Sequence, residues 1–160
     1  MALCSAGSWS KVAMSRAKGN LPRVIADEDF PKETLHSVLG IQLTEHGDGF
    51  VKGQVPVTDR IKQELGLVHG GVYAAMAEGF CSMGTWLARH EEGMIVSGQQ
   101  NDTSFLRPIT AGSVHADCRA KHKGRSTWVW DCEFTNDEGK LCALSRVTIA
   151  VRAPKPAPTS

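Results

Sequence analysis

LVHGGVYAAMAEGFCSMGTWLARH, residues 67–90, decides the architecture of this chain. It opens on the turn-forming His69-Gly70-Gly71 and continues without a proline through good helix formers, which predicts one long helix. About 20 residues past the glycines make a helix of roughly 30 Å at 1.5 Å per residue. The segment is apolar nearly all round, so burial on most sides is expected rather than a single apolar stripe. In the middle of that run stands one carboxylate, Glu78. An acid on a buried helix needs either a partner for its charge or a use for it.

Upstream, Val38, Leu39, Ile41 and Leu43 predict a strand over residues 36–44, closed by the turn-prone His46-Gly47-Asp48-Gly49. Residues 50–57 alternate, with Val51, Val55 and Val57 on one face and Lys52 and Gln54 on the other, and complete a hairpin. Thr58 and Asp59 cap a short helical turn that runs to Leu65 and ends at Gly66. Downstream, residues 94–107 are unusually polar, and their pattern does not choose between strand and loop. Residues 113–121 alternate Val114, Ala116, Cys118 and Ala120 with His115, Asp117, Arg119 and Lys121, a strand with one wet face. A turn at Lys123-Gly124-Arg125 leads into residues 127–134, where Trp128, Trp130, Cys132 and Phe134 share a face. Asn136-Asp137-Glu138-Gly139 turns again into residues 141–151, with Leu141, Ala143, Val147, Ile149 and Val151 in phase.

Strands joined by hairpins make an antiparallel sheet, and one helix covers one face of it, which is an α+β domain. Gly71, Ala74, Ala75, Ala77, Gly79, Gly84 and Ala88 let a strongly curved sheet approach the helix closely. One long central helix wrapped by a curved antiparallel sheet of five or six strands is the hotdog fold. Its expected extent is residues 31–152, after a leader over residues 1–30 and before a proline-rich tail over residues 153–160. The leader carries Lys11, Arg16, Lys18 and Arg23 with no acid before Asp27. That bias suits an organelle transit peptide, but we read the leader as a disordered tail in preference.

At 160 residues with 41% hydrophobic and 22% charged side chains, the chain suits one globular domain with a real core. A net charge of +1 offers no global attraction to nucleic acid or membrane, and the apolar run is too broken for a spanning helix. The five cysteines (Cys4, Cys81, Cys118, Cys132 and Cys142) form no CxxC pair, so they read as small core residues in a reducing cytoplasm. The six histidines have no metal-ligand spacing, and neither metal nor cofactor is expected.

His69-Gly70-Gly71 gathers free backbone N–H groups and the positive end of the helix dipole, a place where an oxyanion is stabilised as it forms. Glu78 lies eight residues past Gly70, about 12 Å along the helix axis. One reacting carbonyl needs contacts near 3 Å, so the two groups of one chain cannot both reach it. Two antiparallel helices meeting about a two-fold axis resolve this, with Glu78 of one protomer facing Gly70 of its partner and two sites per dimer. The other reading of Glu78 is an acid satisfied by Ser82, one turn on. Gln63, just before the turn, has the reach to bond a carbonyl or a water, and His69 the place to orient groups in the site.

GLVHGGVYAAMAEG, followed by GQQNDTSFLRP, GRSTWVWD and GKLCALSRVTIAVR, resembles the hotdog-fold acyl-CoA thioesterases over residues 57–151. Within them the likeness is to the 4-hydroxybenzoyl-CoA thioesterases that carry a catalytic glutamate in the HGG helix. The resemblance implies hydrolysis of an aromatic acyl-CoA, in a homotetramer built as a dimer of dimers, as a step of aromatic degradation. It assigns Glu78 the role of nucleophile or general base, Gly70 the polarising N–H, and Gln63, His69 and Ser82 places in the site. Arg107, Arg125, Ser126 and Lys155 fall at positions that hold coenzyme A. Arg125 departs from the family's Ser-Thr pair there, and Asp102 replaces a histidine. Rival expectations are another acyl group, such as phenylacetyl- or dihydroxynaphthoyl-CoA, a hotdog hydratase or dehydratase, and a non-catalytic acyl-CoA-binding module.

Overall fold

The computed structural model describes residues 33–154. The leader, Cys4 and Lys155 of the tail lie outside the described residues. A first helix, α1 (Leu35–Leu39), is followed by the strands β1 (Gln42–Gly47) and β2 (Phe50–Pro56) and the long helix α2 (Gly70–Arg89). Four strands complete the chain: β3 (Ile95–Phe105), β4 (Ser113–Lys123), β5 (Thr127–Thr135) and β6 (Leu141–Arg152).

The helix α2 forms where its sequence places it. It buries Val72, Tyr73, Met76, Ala77, Phe80, Cys81, Gly84 and Thr85, pairs of side chains that recur every four residues on one stripe. Burial nearly all round is not observed. Glu78 and Ala88 are exposed, and Ala74, Ala75, Gly79, Ser82 and Met83 are half-buried. One sheet has a single concave face to offer, so one chain covers only one side of an apolar helix.

Around α2 the six strands run in the order β1-β2-β4-β5-β6-β3, and every neighbouring pair is antiparallel. This is the α+β hotdog arrangement. Bulges at Leu43/Glu45, Gly98/Gln100 and Ala120/His122 bend the strands and raise their twist, which curls the sheet round the helix. Trp130, Phe134 and Phe80 are fully buried where sheet and helix meet, each contributing about 1.5–3 kcal/mol by leaving water. Their approach depends on Gly84, where an added Cβ would stand 2.7 Å from Trp130 Cη2 and 2.8 Å from Val51 Cγ2. A buried polar chain fixes the register: Trp130 Nε1 donates to Thr85 Oγ1 at 2.9 Å, and Thr85 Oγ1 donates to Cys81 O at 2.8 Å.

Two local expectations are corrected, and one stretch that the sequence left open is a strand. Residues 36–44 are not one strand, because Thr34 caps α1 in a capping box with Ser37 and Gly40 ends it at φ 76°, after which β1 begins. The turn from Thr58 is a single 3-10 turn over Asp59–Ile61, with no side-chain cap from Thr58, and Gly66 (φ 81°) closes the next turn instead. The polar residues 94–107 are chiefly the strand β3, paired with β6 on one side only and exposed along most of its length. Its inner side runs along α2 in the opposite direction. Gly98 lies beside Glu78, Asn101 Nδ2 donates to Ala74 O at 2.9 Å, and Phe105 packs on Gly70.

Candidate active site

The N-terminus of α2 is capped by a histidine. His69 holds an extended backbone (φ −65°, ψ 134°), and its ring Nδ1 accepts the Gly71 N–H at 2.9 Å. With Nδ1 occupied as an acceptor, the neutral ring carries its proton on Nε2 and presents a donor. Val72 N–H returns to His69 O, while the Gly70 N–H has no acceptor among the described residues. It is one of the orphan donors of a helix start, aligned with the positive end of the dipole.

Gly70 opens into a cleft of about 570 Å³ lined by Gln63, Leu67, His69, Tyr73, Phe105 and Arg107 among others. That volume suits an acyl group with part of its carrier. Gln63 Oε1 accepts the Leu65 N–H at 2.6 Å, which leaves its amide NH₂ to donate. Gln63 is therefore equipped to bond a carbonyl. Arg107 Nη1 donates to Leu141 O at 2.6 Å, fixing the guanidinium at the cleft wall with donors to spare. Tyr73 is buried, stacked edge-on to Phe134 and tilted against Phe105. Burial, and behind it the nearby Cys142, pushes the Tyr73 phenol up to about 12, so it stays protonated in neutral solution.

The structure thus brings Gln63, His69, Gly70 and Arg107 to one cleft. Glu78 is not among its walls. It stands exposed further along α2, where Ser82 Oγ donates to Glu78 Oε1 at 2.9 Å and Gly98 leaves room for the carboxylate. Nor do Arg125 and Ser126 reach the cleft. They form the β4–β5 turn, where Val151 N donates to Ser126 O and Thr127 pairs with Ala150 of β6. Phe105, at the cleft, pairs with Ala143, seven positions earlier in β6 and hence ~23 Å away at 3.3 Å per residue. Sequence reasoning did not single out Gly98, Asn101, Tyr73 or Phe105. The signal for the first two was the polar run SGQQNDTS itself, too polar for an ordinary sheet edge unless its inner side faces polar groups. Among the described residues, the side chains grouped as metal ligands usually are form one trio, Cys81, Cys118 and Cys132, buried in the core rather than the cleft. No helix among the described residues is long and apolar enough to cross a membrane.

Comparison with known proteins supplies the family. The family model described as the thioesterase superfamily matches residues 65–143, from just before the helix start into β6. The proofreading thioesterase EntH of Klebsiella pneumoniae is 36% identical over 120 residues, 75% of this chain and 87% of that protein. A thioesterase of Haemophilus influenzae superposes with a TM-score of 0.74 at 31% identity, covering 86% of this chain and 97% of the other. A mutant thioesterase of Pseudomonas aeruginosa does so with a TM-score of 0.72 at 33% identity, covering 76% and 87%. The chain belongs to the thioesterase superfamily and is a thioester hydrolase of the hotdog fold.

Proposed function

We propose that this thioesterase hydrolyses an aromatic acyl-CoA, with 4-hydroxybenzoyl-CoA as the preferred substrate, releasing the free acid and coenzyme A. The observation that carries the reading is the unpaired Gly70 N–H in a cleft walled by the rings of Tyr73 and Phe105, with an exposed glutamate on the same helix. The Gly70 N–H donates to the thioester oxygen as its charge grows, with the Gln63 amide as a second donor. Glu78 attacks the carbonyl carbon to expel the thiolate through a mixed anhydride, or draws a proton from the water that attacks. A thioester is already activated, so an oxyanion site and a carboxylate suffice without a serine triad.

Gly70 and Glu78 act together only across a dimer. The half-buried small face of α2 and the unpaired edge of β3 favour a two-fold partner there, because both leave apolar or hydrogen-bonding surface uncovered. Arg107 takes a coenzyme A phosphate near the cleft, with Arg125, Ser126 and Lys155 serving in a dimer of dimers.

Thiol release from a panel of acyl-CoAs tests the reading. The expected result is the highest kcat/KM with 4-hydroxybenzoyl-CoA, ahead of phenylacetyl- and dihydroxynaphthoyl-CoA. A preference for straight-chain aliphatic acyl-CoA over every aryl member would contradict it. The likeness to EntH favours one second reading, a proofreading thioesterase that clears misformed thioesters. Similar rates across the whole panel would support that instead.

A further inference from the structure

Three thiols that thioester hydrolysis does not use meet inside the core. Cys81 comes from α2, Cys118 from β4 and Cys132 from β5. Cys118 and Cys132 are direct cross-strand partners, and Cys81 Sγ lies 3.3 Å from Cys132 Sγ. All three sulfurs fall within 4.8 Å of one another, and each residue is fully buried. The charged neighbours in the strands, Asp117, Arg119, Asp131 and Glu133, alternate to the opposite face of the sheet.

Such a trio suits either a soft metal ion or a disulfide, and charge decides between them. A divalent ion on three thiolates leaves a net negative charge in an apolar core and lacks the fourth donor a tetrahedral site uses. A monovalent soft ion leaves still more uncompensated charge. A disulfide is neutral and needs no further ligand.

We propose that Cys132 and Cys81 form a peroxide-responsive dithiol pair, whose disulfide ties α2 to β5 under the hydrolytic site. The Cys132 thiolate attacks the O–O bond of hydrogen peroxide, forming a sulfenic acid and releasing hydroxide. The Cys81 sulfur then loses its proton and displaces the sulfenic hydroxyl, which leaves as water. Two thiols and one peroxide thus become one disulfide and two waters. Cys132 is the attacking sulfur, in contact with Cys81 at 3.3 Å and paired across the strands with Cys118. Hydrogen bonds from Cys118 and then Cys81 draw its thiol below the ordinary value, whereas burial first of all holds Cys81 and Cys118 well above it. Full burial makes the response slow, paced by local opening of the helix from the sheet.

Closing a 3.3 Å contact to a bond of about 2.05 Å draws Cys81 towards β5. Cys81 is one turn past Glu78 and adjacent to Ser82 on a rigid helix, so both move with it. A displacement of about 1 Å at a reacting group costs up to roughly a hundredfold in rate. This effect on hydrolysis rests on the proposed role of Glu78; the disulfide itself does not.

The test treats the folded full chain with hydrogen peroxide, alkylates the remaining thiols, and maps the peptides by mass. The expected result is the loss of two free thiols, a mass lower by two hydrogens, and a linked pair of peptides holding Cys81 and Cys132. Hydrolysis should fall about tenfold or more and return with dithiothreitol. Cys132→Ala and Cys81→Ala should keep their rates through the same treatment, while Cys118→Ala should form the link more slowly. A Cys118–Cys132 link, over-oxidation of Cys132 without any link, or one equivalent of metal bound to the purified protein would overturn the proposal. A Cys81–Cys132 link with hydrolysis unchanged would overturn the coupling to Glu78 and leave the disulfide standing.

Discussion

Glu78 is held at one oxygen by the Ser82 hydroxyl and is otherwise open to what approaches α2 from outside. Replacing it tests whether it reacts or only solvates the helix. Glu78→Ala should lower kcat by about 10³-fold or more while the Kd for an acyl-CoA, measured calorimetrically, stays within a few-fold. Near-normal turnover would mean that another group does the chemistry. Ser82→Ala removes one exposed hydrogen bond to the carboxylate and should cost roughly fivefold in kcat, equivalent to about 1 kcal/mol. Tyr73 sets an alkaline limit on stability. Its folded pKa, about 12, lies above the ordinary phenol value, so its contribution is fully present below about 10 and is lost as pH rises through about 12. Melting temperatures taken across that range should fall less steeply for Tyr73→Phe than for the wild type. Equal slopes would show that the phenol does not titrate out of step with unfolding.

At the scale of the elements, α2 is joined to the sheet by shape and by one polar chain. Thr85→Val keeps the volume but leaves the buried Trp130 N–H without its acceptor, and should destabilise by about 1–3 kcal/mol in urea unfolding. Gly84→Ala gains about 1 kcal/mol of helix propensity yet drives a methyl into Trp130 and Val51. Overpacking of that kind costs about 1–3 kcal/mol, so a net loss is expected from the same measurement. A stabilised Gly84→Ala would show that the sheet yields. These elements were the legible part of the sequence. The strands β4 and β5 and the middle of β6 alternate because one face is core and the other wet, and the small residues of α2 announced close packing. What escaped was decided by contacts beyond a local window. In α1, Val38 and Leu39 look strand-like, but the Thr34 cap and the left-handed Gly40 turn five residues into a helix. In β3, polarity hid a strand whose identity depends on pairing with β6, between 38 (Phe105 with Ala143) and 57 (Ile95 with Arg152) residues later in the chain.

At the scale of the whole molecule, the site we propose to be divided between two protomers would account for the exposure of Glu78. A lone chain was expected to bury that residue because α2 is apolar on nearly every side, yet one sheet covers only one stripe. Half of the candidate site, the helix cap and its cleft, was therefore readable from His69-Gly70-Gly71. For the other half, the eight-residue step from Gly70 to Glu78 calls for a second copy in the proposed site, but that spacing does not say how the copy packs on the sheet. The division has a direct test in mixed dimers. Glu78→Ala lacks the carboxylate, and Gly70→Val blocks the approach to the helix N–H, so each variant alone should be inactive. Unfolded together and refolded at equal concentration, they should regain about a quarter of wild-type thiol release, because half of the dimers are mixed and each has one intact site. No activity in the mixture above that of the separate variants, with mixed dimers present by native mass spectrometry, would contradict a site shared between two protomers.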